Sequence, residues 1–431
     1  MDAGTVESVP TEYDYFQSTV LQAAVINEYD QDITADPIQH GAPIEFLILP
    51  TGFSYLDLNS SKLEVQCKIT KADGTNVAAD ANVGVTNLTL HSLFRNIEME
   101  IGKNRKTITD TTPLYPYRAF FETLLSYSKH VKKTRLLTEG WIEDTVKTFD
   151  DFQIDDAGHN AGFKARAANF STSKTVTLIG RPHLDLFHQD KDIPSGVDVV
   201  IRLIPAMNAF VIKKHDGAEN YRIVILSAKM WIRRKELSQS LSLAHEKMLA
   251  DGHNFRVPFT KVLLKQLTIP TGVTSISFDN FYTGTLPERL LLAFVTATRL
   301  NGSYTANPFR FEHFDLREIS ILANGHQMPA RSYRPNFATG SYLREYLGTL
   351  ESLNLESGNK TNYISPTQWA DTYPIFIFRF NPSGLPTFPQ TGPARLDLQF
   401  ATATPEVINI ICLSENHAVL ELDRFRNAIL L

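Results

Sequence analysis

The sequence is poor in the features that define several large protein classes. Two of the 431 residues are cysteines, which excludes a disulfide framework and a four-thiolate zinc site. No run of 18 uninterrupted apolar residues and no basic, apolar leader is present, so we expect neither a transmembrane helix nor a secretory signal. Cys67 and Cys412 lie in alternating apolar runs. We expect both to be small, buried core residues of a chain made in a reducing compartment.

Basic residues are missing from the start of the chain. The first lysine is Lys62 and the first arginine is Arg95, whereas residues 1–61 contain ten carboxylates. An arm that binds nucleic acid needs Lys and Arg to displace counterions, so we interpret residues 1–40 as an acidic arm that avoids DNA. The arm also contains aromatic and aliphatic residues. We therefore predict that it orders on a neighbouring subunit, with packing on its own domain as the alternative.

The dominant apolar period is two. Leu63, Val65 and Cys67 alternate with polar residues, which predicts a strand with one solvated face. Similar runs occur at 44–49, 97–101, 174–180, 197–204, 221–234, 262–269, 289–298, 316–322, 375–380, 396–400, 407–413 and 418–422. Turn pairs such as Asp73-Gly74 separate them. Many short strands with few helices predict an all-β protein built from sandwiches.

Two apolar stripes with a helical period belong to a hidden duplication. A strand from Arg95 precedes a helix that contains Tyr117 and ends at Leu124. A strand from Arg317 precedes a helix that begins near Tyr342 and ends at Leu350. Three separations are nearly equal and close to half the chain: Arg95 to Arg317, Tyr117 to Tyr342, and Leu124 to Leu350. Such a repeat predicts two copies of one domain. A chance coincidence is the alternative. We expect each helix to bury its stripe on its own domain.

Several strings add a resemblance to a known family. They are Tyr55–Leu58 followed by Ser61–Val65, Tyr221–Leu226 running on to Trp231, Phe278–Tyr282, and the Asn324-Gly325 hairpin. These resemble the double jelly-roll major capsid (hexon) proteins of Polinton/Maverick elements and adintoviruses. The resemblance covers about residues 42–135 and 173–425 and contains no catalytic motif.

The resemblance implies an all-β fold of two tandem eight-stranded jelly rolls, each with a short amphipathic helix. The domains are then an acidic arm (1–40), a first jelly roll (41–237), a helical connector (238–252) and a second jelly roll (253–431). The family also implies a homotrimer with a pseudo-hexagonal outline, neighbouring capsomers, a separate single-jelly-roll penton protein, and an icosahedral shell. That shell encloses double-stranded DNA without sequence-specific binding. The protein would be a virion component made in the host cytoplasm, with nuclear assembly and an internal membrane left open.

Nucleotide-binding, zinc-protease and esterase signatures are absent from the sequence, so we predict a structural protein with no catalytic, cofactor-binding or metal-binding residues. The loop Asp150–Gly158 departs from a calcium loop, because Asp156 stands where glycine is needed. His183 and His188, five apart in an extended chain, should point to opposite faces as ordinary histidines. Glu98 and Glu100 share the wet face of a strand. The runners-up in function are a two-domain β-sandwich carbohydrate-active hydrolase and a lectin.

Two basic clusters remain, at Lys129–Arg135 and Arg233–Lys235. Neither alternates with aromatic residues in the sequence, as stacking on nucleic-acid bases would require. We interpret both as solvated faces. The alternative is contact with acidic groups of another subunit, or with packaged DNA.

Overall fold

The computed structural model describes residues 22–35, 38–154, 159–215, 219–356, 361–380 and 390–431. The strands of its N-terminal half are β1 (Val25–Thr34), β2 (Ile44–Ile48), β3 (Ser54–Lys71), β4 (Val83–Val85), β5 (Phe94–Ile101), β6 (Lys106–Thr107), β7 (Val176–Gly180), β8 (Val199–Pro205), β9 (Ile212–Lys214) and β10 (Tyr221–Leu237). Those of its C-terminal half are β11 (Phe255–Ile269), β12 (Ser275–Tyr282), β13 (Arg289–Thr296), β14 (Leu316–Ala323), β15 (His326–Tyr333), β16 (Phe376–Arg379), β17 (Ala394–Phe400), β18 (Ile408–Leu422) and β19 (Ala428–Leu430).

Helices occupy the connections between strands. They are α1 (Thr89–Ser92), α2 (Tyr115–Ser126), α3 (Lys129–Lys132), α4 (Ala161–Phe170), α5 (Asn208–Val211), α6 (Gln239–Ala250), α7 (Ala297–Asn301), α8 (Leu343–Ser352) and α9 (Pro366–Thr372). Short 3-10 turns cover Arg135–Glu139, Ser171–Ser173 and Asp185–His188. Within the described residues, no helix is both long and apolar enough to cross a membrane.

Each half of the chain contains two four-stranded antiparallel layers. In the first half the strand orders are β1-β10-β3-β7 and β2-β8-β5-β6. In the second half they are β11-β18-β13-β16, with β19 added beside β18, and β12-β17-β14-β15. In the first half, apolar side chains of both sheets share one buried cluster. Two layers of four strands around one core form a jelly roll, so the predicted double jelly roll is confirmed.

The duplication extends to strand topology. Replacing β1, β2, β3, β5, β6, β7, β8 and β10, in chain order, by β11 to β18 converts the two sheet orders of the first half into those of the second. The helices α2 and α8 follow the equivalent strands β6 and β15. The repeat seen in the sequence is therefore a repeat of the whole jelly roll, rather than of one strand and one helix.

The apolar alternation places the predicted side chains inside. Leu63, Val65 and Cys67 of β3 are all fully buried, and so is Cys412 of β18. The interpretation of both cysteines as core residues is confirmed. Burial raises the pKa of each thiol to about 12, so both stay protonated at neutral pH.

Part of the predicted arm is a strand of its own domain. Residues Val25–Thr34 form β1 and pair antiparallel with β10, from Val25 opposite Leu237 to Thr34 opposite Lys229. For this stretch, the prediction that the arm orders on a neighbouring subunit is wrong. The sequence did not indicate the strand because the apolar residues of β1 do not alternate regularly and none of its residues is fully buried. Residues 1–21 and 36–37 lie outside the described part of the chain.

The two amphipathic helices exist as predicted but pack differently. The α2 stripe is buried against the second half of the chain, with the Phe120 and Phe309 rings stacked 4.2 Å apart. The stripe also contacts its own half, where the Phe120 ring lies 5.3 Å from that of Trp141 and the Tyr117 ring 5.9 Å from that of Phe210. The expectation that it packs on its own jelly roll therefore holds only in part. The α8 stripe is buried only in part: Tyr342 and Tyr346 pack partly buried against the core, whereas Leu343 is 56% exposed and Leu347 is 50% exposed.

The physical reason lies on the opposite face of α8, which is small and polar. Thr349 and Ser352 donate hydrogen bonds to the carbonyl oxygens of Ile375 and Ile377, both at 3.0 Å. Gly348 fits against Tyr333, whose hydroxyl would collide with a Cβ at that position. The helix docks on its own jelly roll through this face, which leaves Leu343 and Leu347 pointing outward.

Candidate functional site

The basic segment Arg233–Lys235 is engaged by ion pairs within the chain. Arg233 Nε lies 2.6 Å from Asp30 Oδ1 on β1, and Lys235 Nζ lies 2.8 Å from Asp57 Oδ2. Arg234 is buried and donates to the Leu49 carbonyl at 2.7 Å. These side chains bind the acidic N-terminal segment of their own chain. They therefore do not form the solvated face predicted from the sequence.

The basic segment Lys129–Arg135 borders a cleft of about 570 Å³. Lys132 is buried there, and its Nζ donates to the Leu124 carbonyl at 2.6 Å. Burial lowers the pKa of Lys132 to about 8. Two aromatic rings lie beside these cations: Arg135 is 5.0 Å from the ring of Tyr127, just before the segment, and Lys129 is 6.0 Å from the ring of Tyr363, which the fold brings there. The exposed residues of this segment fit the predicted solvated face, whereas the buried Lys132 does not.

The acidic loop does not behave as one solvated unit. Asp150 pairs with Arg299 at 2.7 Å and with Arg310 at 2.5 Å, both in the second half of the chain, and accepts a hydrogen bond from the Asn307 amide at 2.7 Å. Burial opposes ionisation, but these hydrogen bonds and charges outweigh it and hold the pKa of Asp150 below its usual value. Asp150 therefore joins the two halves of the chain. Residues 155–158 lie outside the described part.

The paired carboxylates of β5 lie on its partly exposed face, as the alternation predicts. Arg202 on the neighbouring strand β8 lies 3.3 Å from Glu98, 3.8 Å from Glu100 and 3.0 Å from Glu45. The guanidinium of Arg202 thus forms ion pairs with three carboxylates on adjacent strands. This is a cross-strand charge pairing that stabilises a sheet.

His183 and His188 differ in burial as predicted, but they do not point apart. Asp185–His188 form a 3-10 turn rather than extended chain, which brings both rings to one carboxylate. His183 Nδ1 lies 2.6 Å and His188 Nε2 3.9 Å from Glu122 Oε2 on α2. Desolvation by the surrounding protein lowers the pKa of His188, although its side chain is 29% exposed.

The same place gathers further polar groups that the sequence did not indicate. His91 on α1 lies 3.3 Å from Glu139, and its ring centroid is 4.6 Å from that of His183. Arg118 on α2 pairs with Glu122 at 2.8 Å and with Asp185 at 2.7 Å. We call His91, Arg118, Glu122, Glu139, His183, Asp185 and His188 the histidine cluster. Its members come from separate segments, so no local motif could have revealed them.

Besides the histidine cluster, the exposed leucines of α8 are a feature that packing within the chain does not explain. Its exposed part consists of Leu343 and Leu347, which are about half exposed, with the partly buried Tyr346 and Leu350 beside them. Exposed apolar side chains that line one face of a helix commonly mark a contact with another molecule.

No family profile matches the sequence. An uncharacterized protein of Caenorhabditis elegans is 23% identical over 407 residues, which cover 91% of this chain and 94% of that protein.

Two solved structures share the fold over nearly the whole chain. A chain of the Sputnik virophage superposes with a TM-score of 0.64 at 12% identity, covering 100% of this chain and 93% of that one. The mavirus major capsid protein superposes with a TM-score of 0.52 at 11% identity, covering 99% and 95%. The chain thus has the double jelly-roll fold that the mavirus major capsid protein also has.

Proposed function

We propose that the protein is a viral major capsid protein that assembles by burying complementary surfaces and catalyses no reaction. One observation carries this proposal: a complete jelly roll occurs twice in one chain, with the same strand order. A trimer of such chains presents six similar units, an outline that tiles in near-hexagonal arrays. One gene product can then cover a large closed shell.

The equivalent helices α2 and α8 support a specific contact between chains. When Leu124 is aligned with Leu350, Tyr117 and Phe121 of α2 correspond to Leu343 and Leu347 of α8. On α2 these positions are buried against the second jelly roll of the same chain. In a trimer, six similar jelly rolls form a closed ring, and each contacts the next. Because α2 of the first jelly roll faces the second, α8 of the second should face the first jelly roll of the next chain. We therefore propose the α8 stripe as a trimer contact.

The assembly proposal is tested by mass and by one substitution. Light scattering at micromolar concentration should give three times the chain mass of 48.5 kDa, and negative-stain images should show hexagonal particles. Leu347→Asp should give folded monomers, because a charge in an apolar contact costs several kcal/mol.

The matched control is Leu243→Asp, which alters an equally exposed leucine on α6 and should leave the trimer intact. A monomeric or dimeric wild type contradicts the trimer and favours the hydrolase or lectin alternatives. Trimers that persist in Leu347→Asp contradict only the placement of the contact on α8.

Finer aspects of the proposal rest on the sequence resemblance. We propose an origin in a Polinton/Maverick element or an adintovirus, which the relative in a nematode and the structural likeness to mavirus support. The partners are then neighbouring capsomers, a single-jelly-roll penton protein, and encapsidated double-stranded DNA held without sequence readout. The protein would be made in the host cytoplasm and act in the virion.

The domain boundaries follow the strand equivalence. We propose that the first jelly roll starts at β1, because β1 occupies the place that β11 occupies in the second. The helical connector is α6 with its flanking residues, within 238–252.

A further inference from the structure

We propose that His91, Glu139 and His183 bind one zinc ion, a site that joins α1, the Arg135–Glu139 turn and the segment after β7. The sequence alone predicted no metal-binding residues. Each of the three residues offers one ligand atom, and these atoms lie within 4.8 Å of one another. Two imidazoles and one carboxylate are a ligand set that zinc favours in proteins.

The three proposed ligand side chains are buried, which is unusual for ionisable groups held by hydrogen bonds alone. His91, Glu139 and His183 are each at most 7% exposed. The Glu139 side chain passes beside Gly180 on its way to the imidazoles. A Cβ at residue 180 would collide with Glu139 Cγ. The absence of a side chain at residue 180 therefore gives the carboxylate its room.

Both imidazoles are held from behind by a second polar group. His91 Nδ1 lies 2.8 Å from the Tyr115 hydroxyl, and His183 Nδ1 lies 2.6 Å from Glu122 Oε2. Arg118 in turn fixes Glu122 through its other oxygen at 2.8 Å. Carboxylates and hydroxyls that orient the far nitrogen of a histidine in this way are the usual outer shell of zinc sites. The ligand atom of each ring is then Nε2: that of His91 already faces Glu139 at 3.3 Å, and that of His183 has a long 3.4 Å contact with the Thr123 hydroxyl, which a metal ion would replace.

The charge of the histidine cluster also suits a cation. Glu122, Glu139 and Asp185 are carboxylates, whereas Arg118 is the cation that pairs with two of them. Asp185 Oδ2 is buried without a hydrogen-bond partner. A divalent ion would offset the surplus of carboxylates in a place where water cannot screen it.

A second set of three possible metal ligands also includes His183. Glu122, His183 and His188 also bring three ligand atoms within 4.8 Å of one another. There Glu122 is already bound by Arg118, and the positive guanidinium would repel an ion on that carboxylate. We therefore assign zinc to the buried set and Glu122 to the outer shell.

The test is titration of the full-length protein with Zn²⁺ after treatment with EDTA. Calorimetry should show one ion bound per chain, and Zn²⁺ should raise the melting temperature, because it binds the folded state alone. Binding of no ion, or a melting temperature that neither Zn²⁺ nor EDTA changes, overturns the proposal.

Substitutions locate the ion. His91→Asn and His183→Asn keep an amide at the place of Nδ1 but remove Nε2, and each should weaken zinc binding at least about tenfold. His253→Gln alters an exposed histidine elsewhere and should change nothing. His188→Gln should also leave the affinity unchanged. Loss of binding in His188→Gln with normal binding in His91→Asn overturns the assignment to the buried set. These readouts do not depend on capsid assembly.

Discussion

Charged side chains between the two jelly rolls hold the chain together at the scale of single residues. Asp150 is bound by two arginines from the second half, and Asp185 accepts from the Val262 amide of β11 at 3.3 Å. Lys213 is buried and donates to the Ser303 carbonyl at 2.6 Å, and burial lowers its pKa to about 7. Such groups cost desolvation energy unless every partner is in place, so they specify one relative placement of the halves.

Asp150→Asn should lower the free energy of unfolding at pH 7 by about 1.5–3 kcal/mol, the usual range for hydrogen bonds to charged groups. The pKa of Asp150 is lower in the folded chain than in the unfolded chain. Its contribution is therefore complete above the unfolded pKa, near 3.9, and is lost as the pH falls through the folded pKa. Urea unfolding of both proteins at pH 7 and at acidic pH measures this.

The control for that substitution is Asp80→Asn, at an exposed aspartate in the first half of the chain. It should leave stability unchanged at both pH values. An Asp150→Asn difference that does not shrink in acid would count against the ionised carboxylate as its cause.

At the scale of elements, β1 decides what the N-terminal segment does. Deleting residues 1–21 should leave the melting temperature unchanged, because β1 remains paired with β10. Deleting residues 1–36 removes β1 and exposes the edge of β10, so the melting temperature should fall and aggregation should rise. Differential scanning fluorimetry and light scattering separate the two truncations. Equal stability of both would mean that β1 contributes nothing to the sheet.

The equivalent helices give a matched pair of core substitutions. Phe121 is 1% exposed, so Phe121→Ala should cost about 3–5 kcal/mol. Leu347→Ala, at the equivalent position of α8, should cost less than about 1 kcal/mol within the single chain, because Leu347 is half exposed. Guanidinium unfolding under dilute, monomeric conditions compares them. Similar losses for the two would show that α8 also buries its stripe within the chain.

The sequence predicted elements better than it predicted their contacts. Period-two runs located most strands because one face of each is buried, and the stripe of α8 was correctly read as amphipathic. The pattern of Leu343 and Leu347 shows that a helix has an apolar face, but not which surface covers that face. β1 was missed for a related reason, since a strand held by backbone pairing and surface charge needs no apolar alternation.

At the scale of the whole molecule, duplication was visible in the sequence and the histidine cluster was not. Two copies of one domain leave similar strings half a chain apart, whereas His91, Glu122 and Glu139 become neighbours of His183 only through the fold. Local spacing carries no information on such contacts. The prediction for His183 and His188 failed because a single 3-10 turn reversed the direction of one ring.

The pairing of β1 with β10 has a consequence for synthesis on the ribosome. Val25 pairs with Leu237, so the first strand waits for a partner that is made only at the end of the first jelly roll. At roughly 5–20 residues per second, that delay is about 10–40 s. Throughout it, β1 and β3 lack the strand that joins them, and the nascent chain presents open strand edges to any other chain nearby. The stretch of chain made before β10 is therefore the one most open to pairing between neighbouring nascent chains.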